Sequence, residues 1–247
     1  MIVGQVFGMM FALGKNYISD PNFLDTFMSE DIMELMTSFT NPMLIGGTIA
    51  VLLAVIIRVS TIQNDKKTWG EKLKNYLSLH PLDNGIEYVQ YFCLGITINI
   101  VLSLLLTWIY TIFNWEDSAA NLFTNSTLTL LCVSFLVPIA EEILYRNRIY
   151  ISLKNLCPKY ANFIQALLFG IAHGNPIQCL YTFGFGYLFG ILNDKNKSLY
   201  PSICIHCGIN FFAGIAILFP GKELYLSILI LFSIPMIVKW IKNKEIK

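Results

Sequence analysis

Five side chains that can transfer protons or stabilise oxygen anions lie within apolar stretches of the sequence: Glu141, Glu142, His173, His206 and Asn210. An ionisable side chain at mid-membrane costs about 2.5–3.5 kcal/mol on translocon scales, so it normally faces a cavity or a partner. A carboxylate can activate a water, and imidazole and carboxamide N–H groups can stabilise a developing oxyanion. These residue types indicate hydrolysis, although paired acids and histidines also line ion paths.

Helical spacing separates the roles of the two adjacent glutamates. Residues four apart share a helix face, whereas neighbours point about 100° apart. Glu142 is therefore predicted to pair with Arg146, which would neutralise it. Glu141 lies over Tyr145 and has no cation four residues later, so it is the acid left to face another partner.

The two histidines in apolar stretches each share a helix face with a second residue of interest. His173 shares a face with Phe169, and His206 shares one with Asn210, because each pair is four residues apart. A single histidine in a membrane helix is more often a helix-to-helix hydrogen bond than a catalyst. The whole set is harder to explain as packing, since each polar residue carries its own cost of insertion.

These residues need a scaffold, and the composition predicts a membrane protein. Of the 247 residues, 55% are hydrophobic and 13% are charged, against about 25% charged residues in soluble domains. A helix needs about 20 apolar residues to cross the hydrocarbon core. The stretches that approach this length are Pro42–Val59, Tyr88–Phe113, Thr127–Tyr145, Tyr160–Gly174, Pro176–Leu192, Tyr200–Phe219 and Leu224–Ile241, with Met1–Leu13 as a shorter eighth candidate. We predict an all-α, polytopic transmembrane helix bundle of about eight spans.

Loop charges predict the orientation of the chain. Lysine and arginine are concentrated in residues 58–87, 146–159 and 239–247, whereas residues 14–41 and 114–126 carry mainly acids. Basic loops mark the cytoplasmic side, so eight spans place both termini in the cytoplasm of a multi-pass cell-membrane protein. With seven spans the N-terminus would start outside, so the loop charges leave the first span open. With a net charge of +1 and no basic stripe, the expected partner is the lipid bilayer and no nucleic acid.

The ordered set of polar residues resembles a known family. Glu141-Glu142-x-x-x-Arg146, Phe169-x-x-x-His173 and His206-x-x-x-Asn210, in this order, look like the three motifs of the CPBP (Abi) family of intramembrane proteases. That family includes the type II CAAX prenyl endopeptidases and bacterial proteins linked to bacteriocin processing and self-immunity. The resemblance covers Thr127 to Phe219.

The resemblance also divides the chain into three parts. Residues 127–219 would form the catalytic helical core. Residues 1–126 would supply about three N-terminal spans, with a cytoplasmic loop near residues 60–87, and residues 220–247 the last span and a basic cytoplasmic tail.

Peptide hydrolysis needs an activated water, a stabilised oxyanion and a proton for the leaving amine. We predict Glu141 as the general base, with His173 holding and polarising the water. His206 and Asn210 are donors on one helix face and suit an oxyanion hole. The resemblance implies the same catalytic set and makes Glu141 more important than Glu142. The supporting residues are Glu142, Arg146 and Phe169.

The residue types leave metal dependence open. Catalytic zinc takes three protein ligands and a water, and Glu141, His173 and His206 could supply the three ligands. The sequence has no H-E-x-x-H motif, and the resemblance is compatible with a metal-dependent or a glutamate-dependent reaction. We favour a site without a tightly held metal, with zinc as the alternative cofactor.

The depth of the helices sets a geometric condition. Glu141 and His206 are expected within about two turns of the cytoplasmic side, whereas His173 would lie about 20 Å deep if its helix began at Tyr160. The groups meet only if that helix starts in the cytoplasm or tilts, and Pro158 suits a first helical turn. We therefore predict a cavity open to the cytoplasm, with the site below the headgroups.

Three functions are compatible with these residues. The leading one is an endopeptidase acting on a peptide or a membrane-associated protein terminus, such as a CAAX terminus, a bacteriocin leader or a pheromone precursor. The alternatives are a proton-coupled membrane transporter and a non-catalytic bacteriocin immunity or binding protein. The peptidase is favoured because a pair of oxyanion donors has no purpose in a proton relay.

Overall fold

The computed structural model describes residues 32–63, 66–113, 127–173 and 176–218, together with the single helical residues Leu224, Ser227, Ile234 and Ile241. Within these ranges the chain forms helices and no strand, which confirms the predicted all-α class. The helices are α1 (Ile32–Ser60), α2 (Trp69–Tyr76), α3 (Gly85–Phe113), α4 (Leu128–Leu156), α5 (Ala161–Ile171), α6 (Pro176–Asn196) and α7 (Tyr200–Leu218).

Three helices are long and apolar enough to cross a membrane: α1 from Pro42 onwards, α3 and α4. Helix α5 and Tyr200–Ala216 of α7 are apolar but shorter. The predicted number of about eight spans is therefore not confirmed. The candidate first span Met1–Leu13 and nearly all of the last, Leu224–Ile241, lie outside the described residues, as do both termini.

Helix α4 is longer than the sequence indicated. The predicted span ended at Tyr145, but the helix continues through Arg146 to Leu156 without a break. Glu141 therefore lies near the middle of α4, about 22 Å from its C-terminal end at about 1.5 Å per residue. Its predicted depth of about two turns below the cytoplasmic side stays a prediction. The charged residues from Arg146 to Lys154, which the sequence assigned to a loop, therefore belong to α4.

The greater length of α4 also explains how His173 can lie near Glu141. Helix α5 starts at Ala161, after a turn that contains Pro158, so the predicted start at the proline was also wrong. His173 follows the end of α5, about 18 Å from its start. Glu141 and His173 therefore lie at comparable distances along their helices from the turn that joins α4 to α5.

Two π-helical segments, Cys132–Leu136 and Ile143–Ile149, interrupt the α-helical pattern of α4. Pro138, which has no backbone N–H, lies two residues after the end of the first segment. In the π-helical pattern the N–H of residue 138 would bond to the carbonyl of Val133. That carbonyl therefore needs another donor, because an unsatisfied carbonyl in a membrane costs several kcal/mol.

Helices α3 and α7 cross at backbone contact. A Cβ built on Gly95 would collide with the carbonyl oxygen of Ile205, and one built on Gly208 would collide with that of Phe92. Only glycine permits so close an approach of two helices. Helix α3 therefore sets the position of the backbone next to His206.

Helix α2 is a short polar helix between the first two long ones. Thr68 and Glu71 cap it reciprocally: the Thr68 backbone N–H donates to the Glu71 carboxylate at 2.7 Å, and the Glu71 N–H donates to the Thr68 hydroxyl at 3.3 Å. The Arg148 guanidinium of α4 donates to the Tyr76 carbonyl at 2.9 Å and stacks over the Tyr76 ring at 3.8 Å. These contacts join the polar segment to α4.

Candidate active site

The two glutamates of α4 have different surroundings. Glu142 Oε2 lies 3.2 Å from Arg146 Nε, and neither side chain has any exposed surface. The predicted pair is confirmed, with the distance of an ion pair but without hydrogen-bond geometry. Glu141, one residue earlier, keeps 11% of its side chain exposed. Glu141 is thus the more accessible of the two carboxylates.

Aromatic rings surround the buried guanidinium of Arg146. Its carbon Cζ lies 4.3 Å from the centre of the Phe169 ring, 5.2 Å from that of Phe189 and 5.9 Å from that of Tyr145. A guanidinium is weakly hydrated and stacks on aromatic faces, which lowers the cost of burying it. Phe169, predicted as a supporting residue, therefore joins α5 to the ion pair of α4.

His206 of α7 lies between the two carboxylates of α4. Its Nδ1 is 3.0 Å from Glu142 Oε1, and its Nε2 is 3.6 Å from Glu141 Oε2. Because a carboxylate only accepts, Nδ1 carries the proton of that hydrogen bond. Glu142 therefore directs Nε2 towards Glu141. The sequence did not reveal this contact, since four-residue spacing relates side chains within one helix only.

His173 lies next to the same group of rings. Its Nδ1 is 2.8 Å from the Phe169 carbonyl oxygen, so Nδ1 donates and Nε2 is left for a water or a substrate. The Phe169 ring contacts both imidazoles edge-on, with centroids 4.8 Å from His173 and 5.8 Å from His206. His173 is also close enough to Glu141 to interact with its charge. The structure therefore brings these three predicted residues together.

Asn210 has a structural contact that the sequence did not predict. Its Nδ2 donates to the Val133 carbonyl at 3.1 Å, the carbonyl left without a helical partner by Pro138. One of the two carboxamide protons is thus used in joining α7 to α4. The second proton can serve an oxyanion, so the predicted role of Asn210 in catalysis stays a prediction.

The predicted zinc ligands do not form a metal site in this arrangement. Across the described ranges, no group of three or more His, Cys, Asp or Glu side chains is arranged to hold a metal ion. Glu142 occupies one nitrogen of His206, and the Phe169 carbonyl occupies one of His173. The geometry instead suits proton transfer between a carboxylate and imidazoles.

Residues 123–212 match the family model described as Type II CAAX prenyl endopeptidase Rce1-like. This stretch is therefore similar to the type II CAAX prenyl endopeptidases. The predicted resemblance is thereby confirmed over about a third of the chain, and all seven motif residues lie inside the CAAX-type domain, residues 123–212. The searches of curated proteins and of solved structures gave no match. Helices α1 to α3 lie outside the CAAX-type domain, so the glycine contact that supports α7 comes from beyond it.

Proposed function

We propose that the protein is an intramembrane endopeptidase in which Glu141 is the general base. The observation that carries this proposal is the 3.6 Å separation of Glu141 Oε2 and His206 Nε2, in side chains only 11% and 8% exposed. Two atoms this far apart are too distant for a direct hydrogen bond. Both can contact one water about 2.8 Å from each, which is the position a nucleophile needs.

Hydrolysis then follows from proton positions in this group. Glu141 takes a proton from the water while His173 Nε2 helps to orient it, and the water oxygen attacks the peptide carbonyl carbon. In this mechanism His206 carries a proton on both ring nitrogens before the reaction starts. Its Nε2–H and the second N–H of Asn210 donate hydrogen bonds to the oxyanion that forms on the carbonyl oxygen. When the C–N bond breaks, Glu141 returns the proton to the leaving amine.

The remaining motif residues hold the catalytic side chains in place and do not touch the reacting atoms. Glu142 holds Nδ1 of His206 and so fixes which nitrogen faces the reaction. Arg146 balances the Glu142 charge, and Phe169 packs against both the guanidinium and the imidazoles. We assign these three as positioning residues.

The substrate class follows from the location of the site. A group buried in membrane helices meets peptides that enter the bilayer or protein termini held at its surface. The proposed substrates are a CAAX-type terminus, a bacteriocin leader or a pheromone precursor. The enzyme is proposed to be a multi-pass protein of the cell membrane with both termini in the cytoplasm.

The test uses purified protein in detergent, incubated with a peptide library and read by mass spectrometry. Wild type is expected to produce defined fragments, and Glu141→Gln is expected to lose at least about 100-fold in rate. Glu87→Gln is the matched control, because Glu87 is also a buried carboxylate, 4% exposed, but lies in α3.

Two outcomes would contradict the peptidase. Substrate flux that depends on a proton gradient, without fragments, would identify a transporter. A cellular immunity phenotype unchanged in Glu141→Gln would identify a non-catalytic binding protein. Equal loss of cleavage in Glu87→Gln and Glu141→Gln would show that Glu141 is needed for the stability of the protein and not as the general base.

A further inference from the structure

A polar cavity adjoins the candidate site at Arg146. It has a volume of about 280 Å³ and lies between α4, the loop after α2 and the turn that joins α6 to α7. Arg146 lines it, whereas Glu141, His173 and His206 do not. Since a water takes up about 30 Å³ in the liquid, the cavity has the volume of about nine waters, which is enough for a small polar group with its hydration. The cavity adjoins the site through this one shared residue, Arg146. The predicted catalytic cavity open to the cytoplasm stays a prediction.

Two loops of unusual backbone build part of the cavity wall. Ser78 and Lys197 are the non-glycine residues with positive φ in the described ranges, at 53° and 54°, and both line the cavity. Such conformations persist where surrounding contacts impose them. The Leu199 N–H donates to the Ser78 carbonyl at 3.3 Å, and the Ser198 hydroxyl donates to the His80 carbonyl at 2.6 Å. The loops are tied to each other, which gives the wall a defined shape.

The charges in the wall are predominantly positive. Arg146, Lys154 and Lys197 line the cavity together with a single acid, Asp194. Arg146 is already paired with Glu142, which lies behind the wall. Asp194 is already bonded to Lys154 and accepts from the Tyr150 hydroxyl at 2.6 Å. Among the described residues, no acid lies within ion-pair distance of Lys197. The cavity therefore has a cation whose charge is not balanced.

Buried donors in the wall also have no acceptor. Arg146 and Asn147 are each 2% exposed and line the cavity. Nη1 and Nη2 of Arg146 and Nδ2 of Asn147 have no hydrogen-bond partner among the described residues. The orientation of Asn147 is fixed, because its Oδ1 accepts from Arg148 Nε at 2.7 Å. The unsatisfied side-chain atoms of the wall, which also include Arg146 Nε and Asn193 Nδ2, are all N–H donors. A buried donor without a partner is costly, so the wall favours an acceptor with negative charge.

We propose that this cavity binds the free C-terminal carboxylate of the substrate, an inference that rests on the proposed peptidase function. A terminal carboxylate is charged and would be costly to leave in hydrocarbon. Lys197 is exposed and contacts it directly, while the buried Arg146 and Asn147 provide charge and donors from behind. Glu142 links Arg146 to His206 through contacts of 3.2 Å and 3.0 Å. An extended peptide rises about 3.3–3.6 Å per residue, so the carboxylate lies within a few residues of the cleaved bond.

The experiment measures binding in the Glu141→Gln variant, which leaves the cavity intact and does not cleave. The probes are two libraries of fluorescein-labelled tetrapeptides, identical except that one ends in a free carboxylate and the other in an amide. Fluorescence anisotropy in detergent is expected to show at least about tenfold tighter binding of the acid library, as for a charge-assisted hydrogen bond. Adding Lys197→Asn should reduce this preference to about threefold or less; asparagine tolerates the backbone at this position.

The matched control is Lys195→Asn, an exposed lysine of α6 that does not line the cavity, and it should keep the full preference. Equal binding of acid and amide, or an equal loss in both lysine variants, overturns the inference. Thermal unfolding of each variant separates a binding defect from a folding defect. Because no cleavage is needed, absence of proteolysis by wild type would overturn the proposed function but not this result. Proteolysis without a preference for the acid would overturn the cavity alone.

Discussion

Removing one partner of the buried Glu142–Arg146 pair should destabilise the protein far more than removing both. Both side chains are fully buried and 3.2 Å apart. Arg146→Met leaves the carboxylate without its cation, which costs about 3–5 kcal/mol in proteins. At about 2–4 °C per kcal/mol, the midpoint of thermal unfolding should fall by about 6–20 °C.

The double variant Glu142→Met with Arg146→Met should recover at least half of that loss, because replacing a whole buried pair by apolar residues is close to neutral. Its activity should not recover. His206 has then lost the acceptor of its Nδ1–H, and a rate lower by about 10²–10³ is expected, the size seen when one oxyanion donor is removed. The double variant would therefore regain much of the stability of wild type but remain much less active, which separates the two roles of the pair.

The assay is thermal unfolding of the four proteins of the cycle in one detergent, followed by cleavage rates at a temperature where all are folded. Arg148→Met is the matched control, because Arg148 lies on the same helix but is only partly buried. It should lower the midpoint by less than Arg146→Met. The reasoning is refuted if the double variant unfolds no higher than Arg146→Met, or if it cleaves like wild type.

Three further results are expected. Asn210→Ala should lower the unfolding midpoint by a few degrees, since a hydrogen bond between membrane helices is worth about 0.6–1.7 kcal/mol and the Val133 carbonyl loses its donor; an unchanged midpoint would show that this bond is not formed. Donation from the Thr68 backbone N–H, followed by its hydroxyl, holds the pKa of Glu71 below its usual value, so the cap of α2 is stable at neutral pH and weakens as pH falls through that lowered pKa. Amide exchange in α2 should show protection that declines in acid for wild type, whereas Glu71→Gln should lack this decline. Exhaustive chelation should leave cleavage intact, and loss of cleavage that zinc alone restores would contradict a reaction carried by side chains.

Local spacing in the sequence was sufficient for interactions within one helix. The Glu142–Arg146 pair follows from four-residue spacing, and so does the shared face of Phe169 and His173, whose rings are in contact. The helical class follows from the apolar composition.

Interactions between helices could not be read in this way. The charged residues Arg146 and Lys154 indicated a loop, but each has an acidic partner that allows it to remain in the helix. Hydropathy depends only on the types of residue and takes no account of ion-pair partners. The span that it predicted therefore ended before the end of α4. The Glu142–His206 contact joins helices 64 residues apart in the chain, and nothing in their local sequences specifies it.

One contact between helices did have a detectable sign in the sequence. Pro138 within an apolar helix implies a carbonyl without a donor. Asn210 is a polar residue in another apolar helix and needs a partner. These two requirements together predict the bond from Asn210 to the Val133 carbonyl, whereas the motif spacing alone indicated only a catalytic role for Asn210.

The crossing of α3 and α7 limits how far this protein can be shortened. The helix that bears His206 rests, through the Ile205 carbonyl, against Gly95, which lies outside the matched stretch of residues 123–212. A protein trimmed to that stretch would lose the backbone surface against which α7 is seated. Its motif residues would all be present, but the imidazole would no longer be held at a defined distance from Glu141.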